Sequence, residues 1–259
     1  MPSTKRMRSL LITGANRGIG LELVRQFLSH PTAKPEILIA TARKPAEAKE
    51  LHNLAAKDKS LHILPLDVTK FDTFKEFGEK VSKIVGDKGL NVLLNNAGIL
   101  LDRESKLETI TPDSMTAQFV SNAVAPVMLT KELLPLVKKA AAAQSSVQGI
   151  SVNKAALVYM SSVLGSVKSN EGQWGGGYWG YRESKAALDM SARTIQKEVA
   201  PAGVGVLVLH PGWVQTDMGG PNALVTPTQS VQGLIKVILS LSDKNNGAFI
   251  QHDGAELPW

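Results

Sequence analysis

The chain has 259 residues, 43% of them hydrophobic and 20% charged, with no cysteine and a formal charge of +6. That much apolar material builds a sizeable core and excludes wholesale disorder, and the missing thiols exclude disulfides, thiolate catalysis and cysteine-ligated zinc. Lysines and arginines are scattered among acids (Lys5, Arg6, Arg8, Lys138 and Lys139 among them), as on a solvated surface and not as in the basic stripe of a nucleic-acid binder.

The basic start, residues 1–8, meets only Leu10, Leu11 and Ile12 before a glycine-rich turn. This is too short for a signal peptide, and no apolar run reaches the ~18 residues of a membrane span, so a cytoplasmic protein with neither a membrane nor a nucleic-acid partner is expected. Short apolar runs predict strands at 10–13, 37–41, 61–66, 92–95, 156–161, 204–210 and 248–251. Amphipathic runs between them predict helices at 19–29, 46–56, 71–85, 112–144, 181–199 and 228–240. The alternation implies an α/β fold, a parallel sheet with helices on both faces. No linker or shift in composition divides the chain into two domains. Residues 140–154 read as a frayed helix end and a polar loop without chemistry. Residues 165–180 carry Trp174, Tyr178 and Trp179 on glycine-rich backbone, and read either as a substrate-facing loop or as a surface loop whose rings pack onto the core.

Thr13-Gly14-Ala15-Asn16-Arg17-Gly18-Ile19-Gly20 follows the first strand and opens the first helix. In that context Gly14 permits a sharp turn, Gly18 lets the backbone approach a pyrophosphate, and Gly20 lets helix pack closely on strand. A dinucleotide's phosphates would meet the amides at the helix N-terminus. Taken alone, the spacing also fits an ordinary strand-to-helix turn. An acid at the end of the second strand would accept hydrogen bonds from the adenosine ribose of NAD, but the chain reads Ala40-Thr41-Ala42-Arg43-Lys44. Arg43 and Arg17, with Thr41 or Lys44 as further candidates, could meet a 2′-phosphate, which points to NADPH over NADH. The competing reading is that Arg43 and Lys44 only solubilise a loop.

Downstream, Tyr181-Arg182-Glu183-Ser184-Lys185 places a phenol and an ammonium one helical turn apart. A free tyrosine titrates near pH ~10 and a neighbouring cation favours its ionised form, so Tyr181 is expected to give and take a proton near neutral pH. Tyr178 is a decoy, since Arg182 and not a lysine stands four residues after it.

With Leu66-Asp67-Val68, Asn95-Asn96-Ala97-Gly98, Asn122, Ser161-Ser162-Val163-Leu164-Gly165 and Pro211-Gly212-Trp213-Val214-Gln215-Thr216-Asp217, these segments resemble the short-chain dehydrogenase/reductase family in content and order over nearly the whole chain. The stretch from His210 to Gly220 and the closing Asp253-Gly254-Ala255-Glu256-Leu257-Pro258-Trp259 look most like the branch of the Sniffer carbonyl reductases and the C-factor (C-signal) proteins. The resemblance implies a single Rossmann-type domain over 1–259, a doubly wound parallel sheet of about seven strands with a substrate loop at about 165–180. It implies catalytic roles for Ser162 in preference to Ser161, for Tyr181 and Lys185, and for Asn122, which would position a proton-relay water. Asn16, Arg17 and Ile19 would join the three glycines at the phosphates. Asp67, followed by Val68, would hydrogen-bond the adenine, and Asn95 with the backbone of Ala97 and Gly98 would border the adenosine. Pro211 and Gly212 would shape the turn from which Val214 and Thr216 hold the nicotinamide carboxamide, and Tyr181 and Lys185 would flank the nicotinamide and its ribose. His210 is then a strand-end histidine, because the family takes its acid from tyrosine.

The activity so implied is NADPH-dependent reduction of a ketone, aldehyde or quinone, with Trp174, Tyr178, Trp179 and Trp213 lining an apolar pocket and no metal. One rival is an NADP(H)-binding sensor with little turnover, against which the intact Ser162, Tyr181 and Lys185 argue. Another is an NAD-dependent alcohol dehydrogenase, against which the missing acid argues. Pairing through the fifth and sixth helices, around Ala186, Ala187, Met190 and Thr194, would give a homodimer or homotetramer, although the same face would equally suit burial within one subunit.

Overall fold

The apolar runs become seven strands: β1 Ser9–Ile12, β2 Ile37–Ala42, β3 Leu61–Pro65, β4 Val92–Asn95, β5 Ala156–Met160, β6 Gly205–His210 and β7 Phe249–Gln251. The computed structural model describes residues 7–172 and 175–259, so Lys5, Arg6 and Trp174 lie outside the described residues. Every neighbouring pair of strands is parallel, in the order β3-β2-β1-β4-β5-β6-β7. The order reverses between β1 and β4, which opens a crevice at the carboxyl ends of those strands.

Strand side chains alternate between two apolar layers. Leu10, Ile12 and Leu94 pack with Val24 and Phe27 of α1 (Gly18–Ser29), Leu51 of α2 (Lys49–Lys57), and Val231 and Leu234 of α7 (Pro227–Leu239). Leu11, Leu93, Leu157 and Tyr159 pack with Phe77 and Val81 of α3 (Phe74–Val85), Leu133 of α5 (Ala125–Ala143) and Leu188 of α6 (Tyr181–Val199). This parity corrects one expectation at the end of β4. Asn95 shares a face with Leu93, so its Nδ2 turns to Thr130 Oγ1 at 3.4 Å, and Thr130 in turn meets the Tyr159 hydroxyl at 2.9 Å. The Asn95 side chain is therefore held between sheet and α5, away from the crevice.

Two predicted helices are interrupted. Pro45–Glu47 forms a 3-10 turn, Ala48 leaves the helical region (φ −83°, ψ 61°), and α2 begins only at Lys49. The helix predicted at 112–144 starts as its Thr-Pro signal suggests, with the Thr111 side chain accepting from Ser114 N and Pro112 in the first turn of α4 (Pro112–Phe119). Between α4 and α5, however, Val120–Val124 is a π-helical turn closed by Ala125 N–H to the Val120 carbonyl. Pro126 has no N–H to offer the Asn122 carbonyl four residues back, so a regular ladder cannot pass through this point. The continuous stretch Pro112–Ala143 is long and apolar enough on average to cross a membrane, though it holds no unbroken apolar run. Half of its most apolar window is buried, and Leu129, Leu133 and Val137 pack in the layer beneath the sheet, the pattern of a core helix.

Candidate active site

The β1–α1 turn needs glycine where the chain crowds itself. A Cβ on Gly14 (φ +64°) would lie 3.0 Å from Ala97 Cα, and one on Gly20 would lie 2.2 Å from the Gly14 carbonyl oxygen. Thr13 and Asn96 brace the turn: Thr13 Oγ1 accepts from Asn96 N and Ala97 N at 2.9 Å each, and Asn96 Nδ2 donates to the carbonyls of Thr13 (2.9 Å) and Gly14 (3.2 Å). Sequence reasoning overlooked both residues, although strand parity, which turns Asn95 into the core, is the signal that singles out Asn96. Arg17 at the start of α1 makes no side-chain cap and no acid stands in the first turn, so no side chain of the turn takes up the free amides at the positive end of the helix.

The loop after β6 closes on this turn. A Cβ on Gly18 would be 3.5 Å from Thr216 Cγ2, and Arg17 Nη1 reaches Asp217 Oδ2 at 2.6 Å with both side chains mostly exposed. Arg17 is thus committed to Asp217 and not directed freely at a 2′-phosphate, though an exposed pair of this kind is weak and exchangeable. On the other side, Ala15 N donates to the Thr41 carbonyl at 2.8 Å, which fixes the end of β2 beside the turn. Thr41 Oγ1 is buried without a partner, and Lys44 pairs with Glu47 at 3.0 Å. Arg43 is exposed there with neither an ion pair nor a hydrogen bond among the described residues. Its charge still acts on Asp67. Burial would raise the Asp67 carboxyl, but hydrogen bonds from Thr69 N (3.0 Å) and Oγ1 (2.7 Å), with the charges of Arg43 and Lys70, hold it below the usual carboxylate range.

The reactive groups gather at the start of α6. Lys185 Nζ lies 5.6 Å from the centre of the Tyr181 ring and donates to the Met160 carbonyl at 2.8 Å. Ser162 caps the 3-10 turn Val163–Gly165, accepting from Leu164 N at 3.2 Å, and lies near enough to the Tyr181 phenol to favour its ionised form, whereas Ser161 faces Asp189. Asn122, inside the π turn, clasps Ile99: Oδ1 accepts from Ile99 N and Nδ2 donates to Ile99 O, each at 2.8 Å, with Nδ2 also donating to Ser184 Oγ at 3.0 Å. A Cβ on Gly98 would lie 3.0 Å from Asn122 Oδ1 and 3.5 Å from Lys185 Nζ, so this glycine lets the two side chains approach. The four residues read as catalytic thus gather at one place: Ser162 and Lys185 lie close to the Tyr181 side chain, and Asn122 approaches Lys185 across Gly98.

The expected lowering of the Tyr181 phenol is corrected. Burial dominates at 8% exposure and pushes the phenol up to about 12; the nearby Ser162 hydroxyl opposes the rise and the Asp189 charge adds to it. Burial also pulls the Lys185 ammonium down to about 8, with Asp189 opposing. The Tyr181 phenol therefore keeps its proton throughout the neutral range.

The segment leading into Tyr181 is held by two side chains that sequence reasoning left without a role. Gln118 is fully buried, accepting from Leu101 N and donating to Trp179 O, both at 3.0 Å. Arg182, also buried, donates to the carbonyls of Gly176 and Gly177 through Nε at 3.1 and 3.2 Å, and its guanidinium lies over the Tyr178 ring. Tyr178 and Trp179 are half-buried against this framework, while the Trp213 ring is 38% exposed with its Nε1 donating to Gly219 O at 2.7 Å. Replacing Gln118 with Met keeps volume but strands two backbone groups, each costing about 1–3 kcal/mol when left unpaired. Chemical denaturation of Gln118→Met is expected to show a stability loss of roughly 2–6 kcal/mol; an unchanged midpoint would mean that water replaces both bonds.

His210 stands apart from this chemistry at the end of β6, 7% exposed, with Nδ1 unpartnered. Burial, and then the His252 charge, lower its imidazolium to about 4, against the pull of Asp253. A folded-state value below the unfolded one contributes stability that is present above about pH 6.5 and lost as pH falls through 4, on the order of 3 kcal/mol. Asp189, raised to about 7 by burial, has the opposite sign: its contribution is present below about pH 3.8 and lost as pH rises through 7. The difference between wild type and His210→Gln isolates the histidine. Between pH 6.5 and 4 the variant's melting temperature should fall less steeply than the wild type's, and parallel curves would contradict the assignment.

The short chain dehydrogenase family profile matches residues 8–224, and the chain belongs to the short-chain dehydrogenase/reductase family of oxidoreductases. The carbonyl reductase Sniffer of D. melanogaster is similar to it in structure, with 40% identity, 98% of this chain and 100% of that chain covered, and a TM-score of 0.93. An NADPH-bound carbonyl reductase from chicken fatty liver has 40% identity over the same shares, with a TM-score of 0.91. The C-signal protein of Myxococcus xanthus is 35% identical over 170 residues, 66% of this chain and 93% of that one. The family and branch read from the motifs are borne out, as is the seven-stranded parallel sheet covered on both faces.

Proposed function

We propose that this protein reduces a ketone, aldehyde or quinone to the corresponding alcohol with NADPH as the reductant. The observation that carries this reading is the buried Tyr181 side chain, with Ser162 at hand and Lys185 Nζ 5.6 Å from its ring centre. The crevice suits the cofactor, since the uncapped N-terminus of α1 leaves amides for the pyrophosphate and the end of β2 presents exposed Arg43 and no acid to a 2′-phosphate. Asp67 would take the adenine, and Val214 and Thr216 the carboxamide. When bound, NADPH supplies the hydride.

The remaining steps belong to the chain. The Ser162 and Tyr181 hydroxyls hold the substrate's carbonyl oxygen and stabilise the negative charge that develops on it. Tyr181 gives its proton to that oxygen, and the Lys185 ammonium favours the phenolate left behind. Both N–H groups of the Asn122 amide are taken by Ile99 and Ser184. The Asn122 backbone carbonyl, which Pro126 cannot serve, is then the group that holds water for reprotonation. Leu101, Trp213 and Met218, between 37% and 38% exposed, give the substrate side an apolar rim, which favours aromatic and aliphatic carbonyls over phosphorylated sugars.

The test is NADPH and NADH oxidation by the purified protein across quinones, diketones, aromatic aldehydes and steroid ketones. Turnover with NADPH preferred supports the reading. Tight NADPH binding without turnover on any of them would replace it with a cofactor-sensing role.

A further inference from the structure

We propose that Asp189 is a positioning residue of the proton-transfer site: its carboxylate, one helical turn beyond Lys185, holds the lysine as an ammonium and Tyr181 as a phenol. The proposal rests on the carbonyl-reductase reading of the same site. Tyr181, Lys185 and Asp189 follow one another at four-residue intervals along α6, so they share one face of the helix. Asp189 is 4% exposed, and neither carboxylate oxygen has a hydrogen-bond partner. A buried carboxylate left in that condition is costly unless a nearby charge compensates it, and Lys185 is the cation that acts on it.

The surroundings fix this arrangement. A Cβ on Gly165 would come within 2.9 Å of Asp189 Oδ2 and 2.8 Å of Lys185 Cβ, so the bare glycine backbone closes over the pair and leaves no room for a side chain. From the end of β5, Ser161 faces the carboxyl closely enough to favour its charged form, but its Oγ falls short of hydrogen-bond geometry and is itself unpartnered. The titratable groups coupled to Asp189 are therefore Lys185 and Tyr181 of its own helix, with Ser161 as the polar neighbour from β5 and an uncharged turn at Gly165.

The two couplings act together. A negative charge at Asp189 raises both the Lys185 ammonium and the Tyr181 phenol, so each keeps its proton to higher pH than it would beside a neutral residue. Reduction needs both protons: Tyr181 must donate one, and the phenolate it becomes is stabilised by the lysine's charge. A merely structural Asp189 would move stability and leave these titrations in place.

The test compares wild type with Asp189→Asn, which is isosteric and uncharged, and with Asp189→Ser as a second neutral variant should the amide not fold. Tyrosinate absorbance is followed against pH, each protein being paired with its Tyr181→Phe counterpart so that the difference reports Tyr181 alone. Loss of the carboxylate should lower the Tyr181 midpoint by about one pH unit. With NADPH and 9,10-phenanthrenequinone as substrates, the alkaline fall of kcat should move down by a similar amount while KM for the quinone stays put. Superimposable Tyr181 titrations in the wild type and a folded neutral variant would overturn the proposal. If neither protein reduces the quinone, the carbonyl-reductase reading loses its support while the absorbance titration still decides the role of Asp189.

Discussion

Replacing Tyr181 with Phe should lower kcat for carbonyl reduction by roughly 10²- to 10⁴-fold, the usual contribution of a positioned general acid, and leave NADPH affinity nearly unchanged. The substitution removes one hydroxyl and keeps the ring, so the buried packing of Tyr181 persists. What is lost is the proton that Ser162 helps to aim. Because burial pushes the wild-type phenol up to about 12, this group should leave reduction unaffected across the neutral range and limit it only in strong alkali. The reverse oxidation, which needs the phenolate, should instead rise with pH. Steady-state rates and a fluorescence titration with NADPH check both halves. Normal turnover by Tyr181→Phe would mean that the proton comes from another group.

Arg43→Asp should weaken NADPH binding by roughly 30- to 150-fold, the loss of a charge-assisted contact of about 2–3 kcal/mol, and move preference toward NADH. The new carboxylate stands where NAD-binding relatives of this fold type use an acid for the ribose hydroxyls. It also takes from Asp67 a cation that helps keep its carboxyl ionised, so some adenine-side affinity goes with it. Arg17→Ala should cost less, because Arg17 is already paired with Asp217 and an exposed ion pair contributes little. The ratio of dissociation constants for NADPH and NADH, measured for the three proteins, decides the point. An unchanged ratio in Arg43→Asp would place the phosphate against other residues.

Much of this architecture is legible in the chain because the signals are local. β4 and α6 fall at the predicted residues, since three apolar residues running into an asparagine turn signal, or a run with charges on one face, need no tertiary information. The glycine turn is legible for the same reason. Its supports are not: Thr13 and Asn96 act through hydrogen bonds more than eighty residues apart in sequence. The π turn at Asn122 follows from Pro126 and from the clasp on Ile99, and helical periodicity cannot see either. The state of Tyr181 is the plainest case. Spacing places a lysine beside it, but the sign of its shift is set by burial and by Asp189, which only the packed helix reveals. Gln118 and Arg182 hold backbone carbonyls and amides that a sequence does not locate.

The most direct test of the central claim is a single turnover of 4-nitrobenzaldehyde with NADPH deuterated on both faces of nicotinamide C4, the alcohol then being analysed by mass spectrometry. One deuterium on the carbinol carbon in the wild type, with product formation suppressed in Tyr181→Phe, is the predicted result. An alcohol without deuterium, or no alcohol from a wild-type protein that binds NADPH tightly, would contradict hydride transfer to a carbonyl as the work of this site.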